Sequence, residues 1–190
     1  MNKSLGRSVI GGLFLILATA GAFADGGGGM LMGYQISRYP FLDNYEVAGN
    51  NFGLGYYGGF GYGVSNNRGI VGGFGIAIMD MTGESGIVGG FGGIISGIRI
   101  FKSPINVSLV SWTGFGGIST GRYRVGGRAG YFALMEEVNL EIGLPVFKWF
   151  MPTVTLGYQV TGSLIPGIPF SSFLSYTPVA GFRIQWGKFY

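Results

Sequence analysis

Residues 52–64, FGLGYYGGFGYGV, place a large apolar side chain at almost every second position. Phe52, Leu54, Tyr56, Phe60, Tyr62 and Val64 fall on one side of the pattern; Gly53, Gly55, Tyr57, Gly59, Gly61 and Gly63 fall on the other. A period of two belongs to a β-strand, whose side chains point alternately to opposite faces. A strand with so long a greasy face needs either a core to cover it or lipid to lie in.

Two near-identical stretches sharpen the choice. GIVGGFGIAI (69–78) is followed by a polar spacer and then by GIVGGFGGII (86–95). Read as helices, each is too short to cross a bilayer, which takes ~20 apolar residues. Asp80 and Glu84 interrupt any attempt to join them, and each interior glycine costs a helix about 1 kcal/mol. Read as strands, they are the arms of one hairpin. The expected register sets Ile78 against Ile87, Ile76 against Gly89, Phe74 against Phe91 and Gly72 against Gly93, with the polar spacer as the loop.

Glycine makes up 40 of the 190 residues, aromatics 16% and charged residues 11%. A soluble domain carries about 25% charged residues. A disordered chain is poor in aromatics, and collagen needs a strict glycine period; neither fits. The first residues read as an export signal: Lys3 and Arg7, the apolar run Val9–Ala20, then Ala22-Phe23-Ala24 as a cleavage site. The expected domains are therefore a signal peptide, 1–24, and a barrel domain, 25–190. Loss of Lys3 and Arg7 lowers the net charge from +4 to +2, too little to suggest nucleic-acid binding.

The same alternation predicts eight strands, near 30–37, 51–64, 69–79, 86–101, 105–117, 130–144, 150–162 and 174–190. Long connections alternate with short ones. That is the rule of an outer-membrane barrel, with short turns on one side and longer loops on the other. Proline falls in connections or near strand ends, where a missing N–H is tolerated. The predicted fold is all-β: an eight-stranded antiparallel up-and-down transmembrane β-barrel. In lipid, strands can span only as a closed barrel.

The C-terminal stretch AGFRIQWGKFY alternates Phe182, Ile184 and Trp186 and ends on an aromatic residue. With the strand pattern, it resembles the small eight-stranded bacterial outer-membrane β-barrels. Lys188 departs from the usual apolar terminal pattern. The resemblance implies a location in the bacterial outer membrane, contact with its lipid, assembly through the C-terminal strand by the barrel-assembly machinery, and a monomer.

Side-chain placement follows from strict alternation. Phe52, Tyr56, Phe60, Phe74, Phe91, Phe182 and Trp186 are expected to face lipid. The lumen is expected to have a polar wall, with Glu137, Glu141, Gln159 and Arg183 in one network, and a small-residue wall that includes Gly59, Gly61, Val71, Gly73, Val88, Gly90 and Ile94. The second wall serves curvature or leaves room for an apolar ligand. Glu136 falls among the lipid-facing residues of the sixth strand, which calls for a rim position or a bulge. Arg122, Arg124 and Arg128 form a basic cluster in a loop, suited to lipopolysaccharide phosphates or another external ligand.

The sequence contains no histidine or cysteine, so a Ser-His-Asp triad and a thiol nucleophile are excluded, and zinc-type metal spacing is absent. No cofactor is expected. The expected role is structural or surface-interacting, without catalysis. The alternative is a narrow transport or binding barrel for a small apolar ligand. A third reading, a secreted soluble barrel, requires its apolar residues to face inward.

Overall fold

The computed structural model describes residues 25–37, 52–66, 68–81, 86–120, 129–164 and 174–189. The proposed signal peptide and the cluster Arg122, Arg124 and Arg128 lie outside these residues. Eight strands are present: β1 (Asp25–Ser37), β2 (Phe52–Ser65), β3 (Gly69–Asp80), β4 (Ile87–Phe101), β5 (Asn106–Thr120), β6 (Ala129–Gly143), β7 (Phe150–Leu164) and β8 (Leu174–Lys188). Each pairs antiparallel with its neighbours in sequence, and β1 pairs with β8, closing the barrel. The short connections define one end of the barrel, here the turn end, where β1 begins and β8 finishes. The other is the loop end.

β1 starts earlier than its side-chain pattern predicts. Gly26 to Gly29 pair with β2 on one side and β8 on the other. Closure recruits this glycine run, which has no side-chain alternation to announce a strand. The two strand prolines sit where a ladder has run out. Pairing of β1 with β8 stops at Gln35–Val179, one residue short of Pro178. Pairing of β6 with β7 stops at Gly143–Thr153, one residue short of Pro152.

The repeated stretches do form one hairpin, β3–β4, but its register is displaced by two residues from the expected one. Ile78 pairs with Gly89, Ile76 with Phe91, Phe74 with Gly93 and Gly72 with Ile95. A two-residue slip leaves every side chain on the same face. It exchanges the Phe74–Phe91 pairing for Phe74–Gly93, so a ring lies opposite a glycine. Small barrels alternate large and small interior residues for this reason.

The largest correction concerns which face of β2–β4 points inward. Tyr56, Phe60, Phe74 and Phe91 are buried inside the barrel, with Leu54, Tyr62, Val64, Ile70, Ile76, Ile78, Ile87 and Ile95. The glycine-rich face, with Val71, Val88 and Ile94, points outward. The side chain of Phe52 lies outside the described residues. Phe182 and Trp186 face outward. An eight-stranded barrel is just wide enough for side chains to fill it. With glycine facing inward on three strands, that volume would stay void, and lost contacts are costly; the rings fill it instead. Inward glycines on other strands make room. A Cβ on Gly33 would collide with the Tyr56 ring, and one on Gly114 would come within 2.7 Å of the Phe74 ring.

Candidate functional site

The barrel interior has an apolar side and a polar side, and they meet at Arg183. On the apolar side, Trp112 of β5 packs against Phe60 and Phe74, with ring centroids 6.0 and 4.6 Å apart. The Arg183 guanidinium carbon lies 4.1 Å from the Trp112 ring centroid and 5.4 Å from that of Phe60. Its Nη1 donates to Glu141 Oε1 on β6, two strands away. The cation therefore has a carboxylate at its edge and aromatic faces beside it, two favourable environments for a planar guanidinium.

Further polar side chains complete this wall. Asn139 Nδ2 donates to Glu137 Oε1 at 2.6 Å, and Gln159 Nε2 donates to Glu137 Oε2 at 3.2 Å. Tyr62 Oη donates to Gln185 Oε1 at 2.7 Å, and Gln185 Nε2 donates to Thr153 Oγ1 at 2.9 Å. Glu137, Glu141, Gln159 and Arg183 are all buried on β6–β8, but their hydrogen bonds fall into two sets, Glu141 with Arg183 and Glu137 with Asn139 and Gln159. A buried carboxylate needs such partners, because desolvation without them is prohibitive.

Sequence reasoning passed over the inward polar residues of β4 and β5. Arg99, Asn106 and Ser108 are buried in the lumen. A signal was there to find. Arg99 has the same strand parity as Ile87, Phe91 and Ile95, and Asp80 the same parity as Phe74, Ile76 and Ile78. A charge in line with those apolar residues marks their face as the lumen side, since charge on a lipid face is costly.

Glu136 is neither at a rim nor at a bulge. It is the middle residue of β6 and faces outward, and the β5–β6 register runs through it without a shift. Among the described residues, a register shift lies between Arg99 and Phe101 instead. Two outward hydroxyls of β5 satisfy the carboxylate: Ser111 Oγ donates to Oε1, and Thr113 Oγ1 donates to Oε2 at 2.6 Å.

An open cleft of about 690 Å³ lies where β4 begins, β5 ends and β6 begins, lined by Val88, Ile118, Tyr131, Phe132 and adjoining glycines. Among the described residues, no group of three His, Cys, Asp or Glu side chains is placed to hold a metal ion. No protein-family model matches the chain, and no curated protein sequence matches it. Fold and interior define its class: a closed eight-stranded antiparallel barrel whose core is filled by its own side chains.

Proposed function

We propose that the chain is an integral outer-membrane β-barrel protein of the bacterial envelope, a monomer with a structural or surface-interaction role and no catalytic chemistry. One observation carries this reading: the outer wall is largely apolar, while buried charges lie in the lumen. Met30, Met32, Ile36, Phe115, Leu134, Leu140, Val154, Leu156 and Phe182 are exposed on the outer wall, while Arg99, Glu137, Glu141 and Arg183 are buried in the lumen. Water-soluble proteins rarely expose so much contiguous apolar surface; lipid favours it.

The filled interior supports a passive barrel over a conduit. Trp112 and Phe60 are almost completely buried, and the Arg183–Glu141 pair lies beside the Trp112 ring. The inward apolar residues of β2–β4 favour a second reading, a secreted soluble barrel, which demands that orientation. The exposed apolar residues of β1 and β5–β8 argue against it. Outer-membrane fractionation with heat-modifiable gel mobility separates the two, and recovery in the soluble periplasm would end the membrane reading. Conductance in planar bilayers then separates passive barrel from transporter, with no current expected.

A further inference from the structure

We propose that the turn end of the barrel interior binds a small oxyanion of the carboxylate or phosphate type, held by Arg99 and Asn106. Arg99 is only 3% exposed, and its Nε, Nη1 and Nη2 find no hydrogen-bond partner. A guanidinium removed from water needs an acceptor, and an ionised one offsets its desolvation best. The other buried arginine, Arg183, has one in Glu141.

No carboxylate of the described interior serves Arg99. Glu141 accepts from Arg183, and Glu137 accepts from Asn139 and Gln159. No neutral acceptor of the described residues reaches the Arg99 side chain either. Arg99 pairs with Ser108 across the β4–β5 ladder, and Asn106 is the next inward residue toward the turn, diagonal to Arg99. Diagonal neighbours on one face of a sheet are within reach of long side chains. Ser108 Oγ donates to Asn106 Oδ1 at 3.1 Å, leaving the buried Asn106 Nδ2 without a partner.

Among the described residues, the unsatisfied atoms at this end are therefore all donors: one guanidinium and one amide. Elsewhere in the lumen, the Trp112 Nε1 and Asn139 Oδ1 atoms without partners are single and of opposite kind. A planar fork of N–H groups with a further amide donor matches an oxyanion with two or more oxygens. The main chain beneath the guanidinium is held in place, since the Arg99 N–H donates to the Arg68 carbonyl of the β2–β3 turn at 2.7 Å. The site lies wholly within the barrel interior and is the same whether or not the outer wall lies in lipid.

The test uses the folded full chain in detergent micelles, unfolded by urea at constant ionic strength. Sodium phosphate and sodium acetate form two arms, with sodium chloride as reference. Phosphate or acetate should raise the unfolding midpoint of the wild type relative to chloride, since a ligand that binds only the folded state stabilises it. No rise with either, or an equal rise with chloride, overturns the proposal. Arg99→Met should weaken binding by about tenfold or more; an unchanged response overturns it. Asn106→Asp builds a carboxylate into the site. It should raise the midpoint without added ligand and abolish the response, and it carries the test should Arg99→Met fail to fold. A wild-type response in Asn106→Asp overturns the proposal.

Discussion

Arg183 lies over Trp112, its guanidinium carbon 4.1 Å from the ring centroid, while the same guanidinium is paired with Glu141. The contact joins the two halves of the lumen. β8 and β6 supply the ion pair; β5 supplies the aromatic surface that β2 and β3 pack behind. Removing any one of the three residues leaves the other two in an environment built for its presence.

Arg183→Ala strands a buried carboxylate at Glu141. Losing one partner of a buried pair costs about 3–5 kcal/mol, so the urea midpoint should fall clearly. Tryptophan fluorescence of the folded barrel checks this, and an unchanged midpoint contradicts a bracing role. The double change Arg183→Met with Glu141→Leu should recover much of the loss, because it removes both charges together.

Phe60→Ala opens a void at the centre of the lumen and should cost about 3–5 kcal/mol. Tyr57→Ala alters an outward position three residues earlier in β2, where the side chain is half exposed, and should cost far less. Equal losses would contradict the inward orientation of the β2 rings.

Cysteine labelling reads the same orientation without energetics. Gly75→Cys places a thiol on the outer wall, where a Cβ meets nothing within 4 Å. Phe74→Cys places one in the packed interior. A membrane-soluble maleimide should modify the first in the folded barrel and the second only after unfolding.

Gly33→Ala drives a methyl into the Tyr56 ring and should destabilise the barrel, with partial rescue by Tyr56→Leu. Gly75→Ala should be close to neutral. Thermal unfolding of the three variants checks the contrast between glycines that fill a packing role and glycines that do not.

Ser111→Ala with Thr113→Val leaves the outward Glu136 carboxylate without its two donors. An acceptor stripped of its partners costs about 1–3 kcal/mol, more when charged. Adding Glu136→Leu to that pair should restore stability in micelles, since replacing all partners by apolar groups is nearly neutral. A triple variant no more stable than the double one would contradict this account of Glu136.

Strand number, the hairpin built from the two repeated stretches and the polar wall of the last three strands were legible in the sequence, because each depends on local periodicity. The start of β1 was not, since Gly26–Gly29 carry no side chains to alternate and become a strand only through pairing on both sides. The hairpin register was not, because a slip of two residues preserves the periodicity; ring-against-glycine packing inside the barrel selected it.

Alternation by itself determined that Phe60, Phe74 and Phe91 each lie on the opposite face of their strand from Gly59, Gly73 and Gly90. It did not decide which face turned inward, because a period of two is unchanged when inside and outside are exchanged. Closure decided it. Once β1 met β8, the lumen had a set volume, the last strands brought threonine, glutamine and glutamate to it, and the remaining space took the rings. The same closure carried Arg99 and Asn106 into the interior, where their side-chain donors are buried without partners.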